Sequence, residues 1–155
     1  MFDRIWACIF AFLLSIFPSL DRYSPALDWK AATNTVLTAV QAGDINTIEA
    51  FMCKNIKDNT PDLRGEIGKL INAIQGNITS TSTKFYDDYS AASGGSTVMR
   101  SRSVIQMVTP AGDYWLYIVW EYYNNYSFAA RGIRDIYLGF GAPGEGEILV
   151  EIQVT

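Results

Sequence analysis

Two pairs of residues late in the chain place a carboxylate and a tyrosine at strand spacing. Asp135 precedes Tyr137 by two positions, and Glu121 precedes Tyr123 in the same way. Residues two apart on a strand share one face of its sheet. A carboxylate whose pKa is raised by apolar walls can abstract a proton, with a phenol as hydrogen-bond donor. Asp135, Tyr137 and Glu121 are therefore candidates for catalytic residues. They are weak candidates, because any half-solvated strand also alternates polar with apolar residues.

Arg100 and Arg102 form a second pair on one predicted strand face. Two guanidinium groups can bind an anionic ligand through paired hydrogen bonds. The alternative is a solvated strand face on which the arginines pair with nearby acids, such as Asp87 or Asp88. The acids match no calcium-binding loop motif, so we predict no metal site and no cofactor.

The segment from Tyr114 to Asn124 is the densest aromatic stretch of the chain. Its even positions are all apolar or aromatic, which predicts a strand face buried in the core, whereas its odd positions are mixed. Tyrosine and tryptophan concentrate at binding interfaces. We therefore expect Trp115, Tyr117 and Tyr123, together with the two arginines, to bind a ligand or a partner.

The elements that position these residues follow a simple order, with helices first and strands afterwards. Ser24-Pro25 and Thr60-Pro61 each predict a helix start, while Gly43 ends the first helix and Asp44 caps a second. After Gly76 the apolar period changes to two, as expected for strands. The predicted strands cover residues 78–89, 97–109, 114–124, 132–140 and 148–154, with a loop at 92–95.

The first 23 residues differ from the remainder. The run from Ile5 to Phe17 is uncharged and shorter than the ~20 residues of a spanning helix, as in a signal peptide. The alternatives are a membrane anchor that is not cleaved and a buried first helix of the domain. The residues that end at Cys8 match a lipoprotein box only in part. We expect residues 1–23 to be a signal peptide or membrane anchor, and residues 24–155 a single domain that is secreted or membrane-anchored.

Composition limits the classes of function. The 155 residues carry a net charge of −4 without a block of lysine or arginine, which argues against nucleic-acid binding. The chain contains no histidine, so a cysteine–histidine nucleophile cannot form. We expect Cys53 to be a small buried hydrophobic residue.

The segment from Gln41 to Phe51, followed by a helix and an antiparallel sheet, resembles the nuclear-transport-factor-two-like, or cystatin-like, superfamily. The segments Ile67–Gly76 and Gly132–Leu138 also make the chain similar to a bacterial family of small exported lipoprotein-like proteins of unknown function. The resemblance implies an α+β, cone-shaped fold, with about three N-terminal helices packed on a curved four- to five-stranded antiparallel sheet. The superfamily includes enzymes such as ketosteroid isomerase as well as binding modules, so the fold alone does not assign a function.

We therefore expect a non-catalytic extracytoplasmic module that binds an unknown small molecule or protein through the aromatic face of its sheet. The alternative is an isomerase or lyase of ketosteroid-isomerase type, with a carboxylate base and a tyrosine donor. A homodimer formed through the sheet face is a third interpretation. Contact with a membrane is expected only through residues 5–17.

Overall fold

The protein is described by a computed structural model that covers residues 27–143 and 146–153. These residues form the predicted α+β fold, in which helices precede a five-stranded antiparallel sheet, although there are four α-helices rather than about three. The predicted leader lies outside the described residues. Within the described part, no helix is long and apolar enough to cross a membrane. Some side chains within the covered range also remain undescribed, namely those of residues 87–91, 93, 96 and 128.

The helices are short and are capped mainly by aspartates. Gly43 ends the first helix at a φ of 70°, and the Asp44 side chain accepts the backbone N–H of Thr47, so both predicted signals are confirmed. The predicted start at Ser24 lies outside the described residues, and the first helix has Asp28 as its cap. The helices are α1 (Trp29–Ala42), α2 (Ile45–Phe51), α3 (Lys54–Asn59) and α4 (Leu63–Ala73).

The predicted start of the last helix at Thr60-Pro61 was wrong. Helix α4 begins at Leu63, because the Asp62 carboxylate accepts the backbone N–H of Gly65 at 3.1 Å. Asp62 therefore satisfies an amide that has no partner within the first turn of the helix. The preceding helix α3 was not predicted, since its six residues bury only Ile56 and show no helical period.

The sheet consists of sequential antiparallel hairpins, with the strands in the order β1-β2-β3-β4-β5. The first strand is longer than predicted, because the loop expected at residues 92–95 is reduced to the turn at Gly94 and Gly95, which both have positive φ. The strands are β1 (Ser80–Ser93), β2 (Ser96–Thr109), β3 (Gly112–Asn124), β4 (Gly132–Phe140) and β5 (Glu147–Gln153).

The helices cover one face of this sheet and form the core with it. Leu116, Ile118 and Trp120, at even positions of β3, are fully buried, and the Trp120 ring packs edge-on against Phe51 of α2 at 5.9 Å. Their burial confirms the core face that the alternation in β3 predicted. The odd positions of β3 consequently point to the opposite side of the sheet, which we call the outer face.

Candidate functional site

Strand pairing determines which residues meet on the outer face. Val104 of β2 lies opposite Tyr117 of β3, which in turn lies opposite Tyr137 of β4. Arg102, Val119 and Asp135 are aligned across the same strands, and directly opposed residues place their side chains on one face. The structure thus brings together five of the residues singled out in the sequence: Trp115, Tyr117, Arg102, Asp135 and Tyr137.

An open depression of about 560 Å³ lies at the centre of this face. The Tyr117 and Tyr137 rings meet edge-on at 5.6 Å within it. Trp115 is only 8% exposed, and its indole covers Gly139, where a Cβ atom would lie 2.2 Å from the ring. Trp115 is therefore the floor of what we call the aromatic depression. It is lined by Val104, Trp115, Tyr117, Val119, Asp135, Tyr137 and Pro143.

A second depression of about 330 Å³ adjoins the first and shares Val104 and Pro143 with it. The Arg102 guanidinium lies 5.3 Å from the Tyr86 ring centroid and donates to the Tyr117 hydroxyl at 3.4 Å. Arg102 thus connects the two depressions. Because it contains Arg102 and a lysine, we call this one the cationic depression. It is lined by Ser82, Lys84, Tyr86, Arg102, Val104, Gln106 and Pro143.

Glu121 belongs to a buried polar cluster near one end of the sheet. Its carboxylate accepts hydrogen bonds from Arg100 at 3.1 Å and from Asn124 at 2.7 Å, and an Arg134 nitrogen lies 3.9 Å away. Arg100 is therefore held by Glu121, whereas Arg102 lines the cationic depression. The two arginines of the predicted pair thus have different surroundings.

Asp135 and Tyr137 lie side by side in the aromatic depression, as their spacing predicted. An Asp135 oxygen is 3.7 Å from Arg134 Nε, and the Tyr137 hydroxyl donates to Gln153 at 3.3 Å. Burial raises the pKa of Tyr137, and the negative charges of Asp135 and Glu151 raise it further. The phenol is neutral at physiological pH, and its one proton is donated to Gln153.

The other predicted residues either lie outside the two depressions or have side chains that the structure does not describe. Tyr123 lies near the end of β3 with the Arg131 guanidinium 5.2 Å from its ring centroid. The side chains of Asp87 and Asp88 lie outside the described part. Cys53 is buried, and burial raises the pKa of its thiol, as in an unreactive core cysteine. Among the described residues, no group of histidine, cysteine, aspartate or glutamate could hold a metal ion.

Seven of the twelve lining residues were not singled out from the sequence: Ser82, Lys84, Tyr86, Val104, Gln106, Val119 and Pro143. Lys84 and Tyr86 join the site only because β1 pairs with β2, which sets Lys84 opposite Val104 and Tyr86 opposite Arg102. Pro143 lies in the connection between β4 and β5. The alternation along β1 indicates that Lys84 and Tyr86 share one face of the strand, but it does not show which residues of β2 lie opposite them.

Residues 35–141 match a family described as "Domain of unknown function (DUF5104)". The chain belongs to this family. The DUF5104 segment ends at Gly141, so every residue lining the two depressions except Pro143 falls inside it. No curated protein matches the chain.

Proposed function

We propose that this DUF5104 domain is a non-catalytic binding module that takes a small molecule on its outer face. The observation that carries the proposal is the pair of adjoining depressions whose walls combine tryptophan, tyrosine, arginine and lysine. Aromatic side chains and arginine dominate the energetics of protein recognition. Helices cover the opposite face, so the outer face is the side of the sheet on which such residues can meet a ligand.

Two further parts of the proposal extend the resemblance found in the sequence. We place the fold in the nuclear-transport-factor-two-like superfamily, supported by the order of capped helices before an antiparallel sheet. We also place the domain outside the cytoplasm, either secreted or attached to a membrane. The uncharged run from Ile5 to Phe17 supports this location.

Binding is favoured over the isomerase or lyase interpretation by the surroundings of the two carboxylates. A general base with a raised pKa requires apolar walls and exclusion of water. Asp135 instead lies in an open depression 3.7 Å from Arg134, and Glu121 is held by Arg100 and Asn124. Both carboxylates are better suited to fixing neighbouring side chains than to abstracting a proton.

The proposal can be tested with fluorine NMR on the full chain in mild detergent. The chain has four tryptophans, and substituting 5-fluorotryptophan gives each its own resonance, assigned by Trp→Phe variants. Naphthalene-1-acetamide serves as a neutral aromatic probe. We expect it to shift the Trp115 resonance saturably while leaving that of the fully buried Trp120 unchanged.

Matched variants separate the depression from general hydrophobic binding. Tyr117→Ala removes a wall of the aromatic depression and should weaken binding about tenfold, whereas Tyr126→Ala removes an aromatic side chain that is 81% exposed and should have no effect. The hydrophobic leader is the same in every variant, so it cannot account for a difference. If the Trp115 resonance does not shift when the probe is added, the proposal is refuted. If it shifts only with protein concentration, the outer face is a subunit interface instead.

A further inference from the structure

We propose that the ligand is a small organic anion whose acidic group binds in the cationic depression and whose apolar body lies in the aromatic depression. This inference rests on the proposed function and adds the chemical class of the ligand. Carboxylates, sulfates and phosphate esters share the required chemistry.

The charges of the two depressions are unlike. The seven residues that line the cationic depression include Lys84 and Arg102 and no acid. Gln106 also lines it and donates an amide N–H to Asp113 at 3.2 Å. The aromatic depression contains Asp135, whose carboxylate lies beside Arg134. An anionic group is therefore attracted towards Lys84 and Arg102, while Asp135 disfavours the reverse orientation.

Arg102 is held in place for this role by its neighbours. Its guanidinium lies 5.3 Å from the Tyr86 ring centroid and 5.9 Å from that of Tyr117, and it donates to the Tyr117 hydroxyl. A guanidinium that is positioned in advance loses little side-chain entropy when it binds an anion. Tyr117 also lines the aromatic depression. Its contacts with Arg102 therefore connect the site proposed for the acidic group with the site proposed for the apolar body.

The dimensions favour a small molecule. The depressions measure about 330 and 560 Å³ and share the walls formed by Val104 and Pro143. Sites for small molecules commonly occupy about 300–1,000 Å³ and combine apolar walls with a few convergent polar groups. An aromatic or aliphatic acid with its charged group at one end matches this arrangement in both size and polarity.

A matched pair of probes tests the inference on the full chain. Naphthalene-1-acetate and naphthalene-1-acetamide have the same ring and differ in charge, so the ratio of their dissociation constants measures recognition of the acidic group. We expect the acetate to bind about three- to tenfold more tightly at low salt, and the preference to shrink at high ionic strength. Lys84→Gln and Arg102→Gln should each reduce the ratio, whereas Lys69→Gln, the same change on α4, should not.

The outcomes separate this inference from the proposed function. If the acetamide shifts the Trp115 resonance but the acetate binds no more tightly, the outer face binds ligands and the anionic class is wrong. If neither probe shifts Trp115, the proposed function itself fails. Should Arg102→Gln perturb the fold, as the Trp120 resonance would reveal, the exposed Lys84 still gives a decisive result.

Discussion

The two faces of strand β3 contrast two uses of tryptophan in one short segment. Trp120 is fully buried against Phe51, beneath the helices, whereas Trp115 lies on Gly139 as the floor of an open depression. On the core face beside Trp120, Leu116 and Ile118 of β3 are fully buried aliphatic residues, whereas the aromatic depression around Trp115 is also lined by Tyr117, Tyr137 and Asp135. One face of the strand thus stabilises the fold, while the other combines apolar area with polar groups that can select a ligand.

The largest effect is expected when neighbouring residues on opposite faces are truncated. Ile118 is fully buried and Val119 lines the aromatic depression. Ile118→Ala should lower the free energy of unfolding by about 2–5 kcal/mol because it leaves a cavity in the core. Val119→Ala should cost less than about 1.5 kcal/mol and should weaken probe binding instead. Chemical denaturation of both variants measures the difference, and equal losses of stability would remove the distinction between the faces.

An intermediate effect is expected from adding one methyl group beneath Trp115. The Cβ atom of Gly139→Ala would lie 2.2 Å from the indole, so the ring or the strand must move. Overpacking of this kind costs about 1–3 kcal/mol. We expect the Trp115 fluorine resonance to shift and probe binding to be lost, while the Trp120 resonance stays in place. Gly94→Ala is the control for the general effect of replacing a glycine by alanine, because its Cβ atom would meet no atom within 4 Å. The positive φ of Gly94 adds local backbone strain to this control. Unaltered probe binding in Gly139→Ala would show that Trp115 is not the floor of the ligand site.

Much of the fold was predictable because its signals are local. The alternation along β3 gave the buried face, and the Gly43-Asp44 junction gave the boundary between α1 and α2. Helix α3 escaped prediction because six residues are too few to show a period. At the start of α4, the Thr60-Pro61 signal predicted the wrong cap, because the side chain that accepts the Gly65 amide belongs to Asp62, two residues later.

The candidate site was predictable only within single strands. Asp135 and Tyr137 share a face by spacing alone, and so do Trp115 and Tyr117. Their assembly with residues of β1 depends on register, which local patterns specify weakly. Arg100 and Arg102 share one face of β2, but Arg100 lies opposite Glu121 whereas Arg102 lies opposite Val119. The spacing within β2 does not show these partners on β3, and this is why the two arginines were grouped as one anion site.

The smallest effect concerns the ionisation of Tyr137 on the outer face. Burial raises its pKa above the ordinary value of about 10, with Asp135 as the next cause. The neutral phenol therefore contributes stability that is fully present below pH ~10 and is lost as the pH rises through the folded-state pKa. Relative to Tyr137→Phe, the wild-type protein should lose stability in that alkaline window and not below it. Tyrosinate absorbance, recorded as the difference between wild type and Tyr137→Phe, should show the late-ionising phenol directly.

Asp135→Asn sharpens this last test because it removes a neighbouring charge while keeping the size of the side chain. The pKa of Tyr137 should fall towards its ordinary value but remain raised, since burial is the larger cause. A fall all the way to the ordinary value would mean that charge, not burial, controls the phenol. The aromatic depression would then be more hydrated than its open shape implies, and its difference from the buried core face of the sheet would be larger.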